Sequence, residues 1–221
     1  IWYNSSSSGA HTHQLKIGGV DHFTGMIQDF RMIRDHVAWT QGFNNLELTT
    51  PVLSSLTDPT CENTIFHVQQ TYDGPVYDRS DNRVDIRTNN AVTFDPAQDP
   101  VFNSGSLSFD SSQNSYLSIQ QTPFLTENVF NTQQDNFTIE MWFMTRTTGV
   151  RQGLFSTHDS TNIGSPGLDS IDIEIRTSNN LLIHFRKPDN SAVGFTTNTS
   201  IQADRWYHLL VTRHDEHIHV F

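Results

Sequence analysis

The sequence predicts an all-β fold, an antiparallel β-sandwich or jelly roll. Three observations carry that expectation. Ile171, Ile173 and Ile175 alternate with Asp172, Glu174 and Arg176, the period of two that a strand shows when one face is buried. From Ser106 onward, short runs of this kind recur between turn-forming residues, at the spacing of roughly 8–12 residues typical of sandwiches. No convincing helical stretch interrupts them. The composition agrees: 35% of residues are hydrophobic, and the apolar set leans to Phe, Ile, Val and Trp, which suit a pleated surface. Abundant Ser, Thr, Asn, Asp and Gln suit the turns between short strands.

Each element follows from its local pattern. Gln14-Leu15-Lys16-Ile17-Gly18-Gly19 reads as a strand ending in a glycine turn, and residues 23–33 as a longer alternating strand. Residues 35–39 admit one helical turn. Residues 46–63 hold turn formers such as Thr57-Asp58-Pro59-Thr60 without periodicity and read as a linker. Ile65-Phe66-His67-Val68 opens a fresh strand, and residues 77–82 form a polar turn. Leu107 and Phe109 alternate with Ser106 and Ser108, and Tyr116-Leu117-Ser118-Ile119 follows a turn at 111–114. Phe137, Ile139, Met141 and Phe143 share one face of the next strand, and Thr138, Glu140, Trp142 and Met144 share the other. That second face is also partly apolar, so this strand is expected at the centre of a sheet, covered on both sides. Residues 153–156, a hairpin of 171–175 and 181–186, then 192–196, 206–212 and 217–221 complete the set. Phe137, Ile139, Met141, Phe143, Trp206 and Leu209 are expected in the core.

The formal net charge of -11 argues against nucleic acid and anionic membranes as partners, because phosphate contacts need clustered Lys and Arg. It is compatible with calcium, basic partners or neutral glycans, and equally with solubility alone. The single cysteine, Cys61, cannot form an internal disulfide. No apolar run approaches the ~18 residues that would span a bilayer. The opening Ile1-Trp2-Tyr3-Asn4 is neither an initiator methionine nor a signal peptide, so the chain reads as starting inside something longer. Asn-x-Ser/Thr triplets at Asn4, Asn136 and Asn198 are glycan acceptors in secreted proteins. In a Ser/Thr/Asn-rich chain with one cysteine they point to a secreted glycoprotein, or they match by chance.

The ordered motifs at Asp78-Arg79-Ser80-Asp81-Asn82, Ser104 to Asp110, Tyr116 to Ile119, Phe137 to Phe143 and Arg205 to Thr212 resemble laminin-G-like and pentraxin-like domains of the concanavalin-like superfamily. The resemblance covers 64–221 and implies a concanavalin-like jelly roll. In that family the chain continues past the W-Y-H-L-x-V-T strand to a closing motif resembling L-x-I-G-G followed by F-x-G-x-I-D-D-F-R-I-Y. Here that motif stands at the other end, as 15–19 and 23–33. Residues 1–45 therefore resemble the closing strands of such a domain, 46–63 a linker, and 64–221 a sandwich without its last strands. Two explanations fit. The chain is a window on a tandem array, or its ends complete a domain in a neighbouring copy or in the same chain. The family's habit of tandem arrays favours a separate copy or a preceding domain, joined head to tail, with Leu15, Ile17, Phe23, Met26, Phe30 and Ile33 as the assembly contacts. The expected function is a non-catalytic adhesion or assembly module, a repeat of a secreted glycoprotein or filament that binds copies of itself or adjacent domains. The alternative is a carbohydrate-binding lectin domain, with or without calcium.

Four constellations bear on chemistry. Ser170-Ile171-Asp172-Ile173-Glu174 resembles the E-I-D-I-E strand of glucanases in this superfamily, where paired carboxylates do nucleophile and acid work. The first position here is Ser170, so the nucleophile is missing, and Asp172 and Glu174 read as the solvated face of a strand. Asp29, Asp78, Asp81 and Asn82 are oxygen donors of the kind calcium takes, or they simply shape a turn. The D-x-S-x-N turn and the D-F-R motif come from opposite ends of the domain, so one ion would tie them. His11 with His13, and His217 with His219, each place two imidazoles on one strand face, which suits zinc or copper or merely an exposed edge. Trp2, Tyr3 and Tyr72 suit sugar stacking if exposed, or the core.

Overall fold

A computed structural model describes residues 15–18, 23–34, 64–70, 75–97, 105–119, 136–157, 170–186, 192–215 and 217–221. Fifteen strands lie among them: β1 (Leu15–Ile17), β2 (Gly25–Arg34), β3 (Thr64–Gln70), β4 (Val76–Asp78), β5 (Ile86–Asn89), β6 (Thr93–Asp95), β7 (Ser106–Phe109), β8 (Tyr116–Ile119), β9 (Phe137–Thr145), β10 (Gln152–Ser156), β11 (Ser170–Ile175), β12 (Leu181–Arg186), β13 (Ala192–Thr196), β14 (Trp206–His214) and β15 (His217–Val220). A seven-stranded sheet runs in the order β13-β12-β11-β10-β1-β8-β5. The second sheet runs β15-β14-β9-β2-β3-β4, with β7 pairing β2 and β6 beside it. The ladders are antiparallel.

The alternation seen in the sequence becomes the core. Ile171, Ile173 and Ile175 from one sheet meet Phe137, Ile139, Met141, Phe143, Leu209 and Val211 from the other, and all are buried. Packing two inner faces in this way is what makes a sandwich. Trp206 departs from expectation: it is only half-buried. The register pairs it with Met144, on the face opposite Phe143, so Tyr207, Leu209 and Val211 point inward instead. The second face of β9 is covered as expected, with Thr138 and Met144 buried.

The closing strands belong to this chain's own sandwich. β1 lies between β10 and β8, and β2 lies between β9 and β3. Leu15, Ile17, Phe23, Met26, Phe30 and Ile33 are all buried there. These side chains, expected to contact a neighbouring copy, are packed inside this chain's own sandwich. The segment satisfies its apolar faces and its backbone hydrogen bonds within the chain, which removes the open edge that would otherwise recruit a partner. Gly18 shows why a glycine ends β1: its φ is +75°, and a Cβ there would lie 2.6 Å from Cδ1 of Phe109. The linker 46–63, the helical turn at 35–39 and Cys61 lie outside the described residues. Strand β4 takes in Val76–Asp78, so the polar turn is shorter than the sequence suggests. β5 and β6 were not anticipated.

Candidate functional site

The face of the seven-stranded sheet that points away from the core carries one transverse polar row. Cross-strand pairing sets Arg87 opposite Ser118, Ser118 opposite Lys16, Lys16 opposite Ser156, Ser156 opposite Asp172, and Asp172 opposite His184. Leu15 and Ile17 face the core on either side of Lys16, as Ile171 and Ile173 do around Asp172, so strand geometry alone puts these polar residues on the outer face. Burial at the centre of the row is deep, while Arg87 at one end is exposed and His184 at the other is half-buried. Lys16 is 8% exposed, Asp172 3%, and Ser118 and Ser156 1% each.

Short contacts hold these groups to one another and to their neighbours. Ser156 Oγ donates to Asp172 Oδ1 at 2.6 Å. Asn89 Nδ2 donates to Ser118 Oγ at 2.8 Å. The Lys16 ammonium sits 5.4 Å from the Tyr116 ring centroid, a cation–π distance. One row along, Glu174 is 3% exposed and its Oε2 accepts from Arg151 Nε and Nη2 at 2.7 and 2.6 Å. A retaining glycosidase needs a second carboxylate about 5–5.5 Å away with access to the sugar. Here the first position of the motif is a serine, Glu174 is clamped by a guanidinium, and Asp172 is buried under a serine bond. Asp172 and Glu174 were expected on a solvated face, and they lie buried instead. Lys16, Ser118, Ser156 and Arg151 were not singled out from the sequence. A lysine between two aliphatics reads as an exposed position, and only the sheet order reveals that it is covered.

The second sheet has its own buried charge cluster on the outer face. Arg31 on β2 lies opposite Glu140 on β9, and His208 on β14, opposite Trp142, reaches Glu140 diagonally. Arg31 Nη2 donates to Glu140 Oε2, and His208 Nε2 lies 2.9 Å from Glu140 Oε1. The His208 ring stacks on Trp142 at 4.8 Å. Burial pushes the Glu140 carboxyl up, but the His208 hydrogen bond and the charges of Arg31 and His208 outweigh it and hold the group at about 2.

The turn residues behave as architecture. Asp78 is buried, and its two carboxylate oxygens accept from the N–H groups of His67, Ser80 and Val84, each at 2.9 Å, and from Ser80 Oγ at 2.8 Å. Asn82 Nδ2 donates to Ile65 O at 3.0 Å, and Asp81 is exposed. Asp29 pairs with His67 rather than with Asp78. A cation at Asp78 would have to displace four donors, so this set does not fit calcium. Among the described residues no group of three or more His, Cys, Asp or Glu could hold a metal ion. His217 and His219 stack with their ring centroids 6.4 Å apart on edge strand β15. Trp2, Tyr3, Asn4, His11, His13 and Tyr72 lie outside the described residues. Asn136 is half-buried, and its Oδ1 accepts from Asp215 N at 2.7 Å. Asn198 is exposed.

No helix among the described residues is long and apolar enough to cross a membrane. Comparison with curated proteins returned no match, and neither did comparison with solved structures. A laminin G family model, described as concanavalin A-like lectin/glucanases superfamily, matches residues 110–221, the stretch that supplies β8 to β15. With that match over half of the chain and two antiparallel sheets packed face to face, the protein belongs to the concanavalin A-like lectin/glucanases superfamily.

Proposed function

We propose that this chain is a non-catalytic extracellular adhesion or assembly module. The observation that carries the reading is the state of the β11 carboxylates. Asp172 is held by Ser156 and Glu174 by Arg151, both are 3% exposed, and Ser170 stands where the glucanase motif has its nucleophile. What remains of the superfamily's repertoire is recognition of glycans or proteins. Laminin G-like domains are often extracellular, and the acceptor triplets at Asn136 and Asn198 support that compartment here.

The test has two arms on the secreted full chain. Incubation with β-glucans should release no reducing sugar. Binding should appear instead, either as self-association in sedimentation velocity or as retention on immobilised glycans or matrix proteins. Turnover of a glucan that disappears in Asp172→Asn or Glu174→Gln would overturn the non-catalytic reading.

A further inference from the structure

The two sheets gape at one edge. β13 and β15 are the outermost strands of their sheets, and Val193, Phe195 and Ile218 on them are 55%, 50% and 37% exposed. Register sets Val193 opposite Phe185 and Phe195 opposite Ile183, two core residues. Val193 and Phe195 therefore sit on the core side of their sheet, yet remain in water. Behind them an open cavity of about 260 Å3 is lined by Phe143, Leu181, Phe195 and Tyr207, and also by Asn198 and Thr199. β13 carries no charge to blunt its free edge, which is a liability that folded proteins normally cover.

The residue beside this mouth is a glycan acceptor. Asn198-Thr199-Ser200 is one of the chain's Asn-x-Ser/Thr triplets, and it begins three positions after Phe195. The loop that carries it is held in place. Asn180 Nδ2 donates to Thr197 O at 3.0 Å and to Thr199 O at 3.3 Å, Leu181 N donates to Thr197 Oγ1 at 3.1 Å, and Ile201 N donates to Asn179 O at 2.7 Å. Asn198 itself is exposed, and its side chain has no hydrogen-bond partner among the described residues. Asn136 differs, because its amide is engaged with the Asp215 backbone.

We infer that Asn198 carries an N-linked glycan whose first N-acetylglucosamine lies on the Phe195 ring and roofs the cavity between β13 and β15. The inference rests on the extracellular reading above. In the transfer, Nδ2 of Asn198 bonds to the anomeric carbon of the sugar and loses one proton. The bond broken joins that carbon to the pyrophosphate of a lipid-linked oligosaccharide donor, and the pyrophosphate leaves with the electron pair. A sugar ring has one face of C–H groups that suits an aromatic face and a rim of hydroxyls that suits water. It therefore covers Phe195 and Val193 without creating a new apolar surface, and its bulk shields the free edge of β13.

The experiment expresses the full chain behind a secretion signal in a eukaryotic host. Enzymatic glycan release in 18O water marks each occupied asparagine as labelled aspartate, read by peptide mass spectrometry. Asn198 is expected to be occupied. A secreted chain with Asn198 bare and a glycan at Asn136 or Asn4 overturns the inference and leaves the extracellular reading standing. A chain bare at all three triplets overturns both. The covering role is read by an apolar fluorescent dye on folded, purified protein. Trimming the glycan to its first sugar should leave dye binding low, and complete release should raise it several-fold. Phe195→Ser combined with Asn198→Gln should bring it back down. Dye binding unchanged by complete release overturns the covering role, and because release acts on folded protein, failure of the Asn198→Gln variant to fold does not obscure the answer.

Discussion

Asp29 places its Oδ1 2.5 Å from Nε2 of His67, reaching from the bulge of β2 to the neighbouring strand β3. The backbone N–H of the same histidine donates to Asp78 at 2.9 Å. One residue thus joins the N-terminal closing strand to the D-x-S-x-N turn, the connection that the sequence suggests for a calcium ion. The bulge makes it possible: Asp29 has a φ of +53°, and the local kink turns its side chain out of the regular alternation.

Asp78 should behave as a structural residue. Asp78→Ala strands the N–H groups of His67, Ser80 and Val84, each of which otherwise has a carboxylate acceptor. A buried unsatisfied donor costs about 1–3 kcal/mol, so the variant should lose about 3 kcal/mol or more in urea denaturation. Asp78→Asn keeps one oxygen and should lose less. EDTA should leave the melting temperature of the parent unchanged. A calcium-dependent rise in melting temperature that Asp78→Ala abolishes would contradict this account.

Glu140 predicts an acid-sensitive step. Its pKa falls from the ordinary 4.5 to about 2 in the folded chain. A carboxyl depressed by folding contributes stability that is fully present above its unfolded value and is lost as the pH drops through the folded one. Stability should therefore decline between about pH 4.5 and about pH 2, and Glu140→Gln should flatten that part of the profile. At neutral pH the same variant leaves Arg31 and His208 buried without their carboxylate partner, a loss of about 3–5 kcal/mol by analogy with broken buried pairs. Equilibrium unfolding of both proteins across that pH range measures both effects.

The strands were legible wherever one face alone is apolar. β11, with Ile171, Ile173 and Ile175 against Asp172 and Glu174, follows directly from period two, and the matching face of β9 follows from its four large apolar residues. Burial of the second face was legible on β9, where that face is itself partly apolar, but not on β1 or β11, where it is polar and its burial depends on which strands become neighbours. Trp206 illustrates the limit. Its strand is apolar on both faces, so alternation cannot say which face meets the core, and register with Met144 decides it. Lys16, Ser156 and Asp172 come from three distant segments. Their row exists only once β1 is inserted between β8 and β10.

The position of that insertion supplies the most decisive prediction. Phe30 packs against Phe155 at 5.2 Å and Phe66 at 6.0 Å between ring centroids, so Phe30→Ala should cost about 3–5 kcal/mol. Removing residues 1–34 should do more, since it strips β1 and β2 from the middle of both sheets and leaves the edges of β9, β8 and β10 bare; the truncated chain is expected to aggregate. Neither variant distinguishes closure within a chain from exchange between two chains, but a cross-link does. Lys16 and Ser118 are Cα partners across β1 and β8, and opposed residues of antiparallel strands lie within the ~4.4–6.8 Å that a disulfide spans. With Cys61→Ser as background, Lys16→Cys and Ser118→Cys should oxidise to a species that migrates as a monomer on a non-reducing gel. A covalent dimer would show instead that the closing strands pass to a second copy. Because β2 and β3 are antiparallel neighbours with Ile33 opposite Thr64, the ends that 46–63 helps to join already lie side by side; shortening it should leave the sandwich closed and the oxidised variant monomeric.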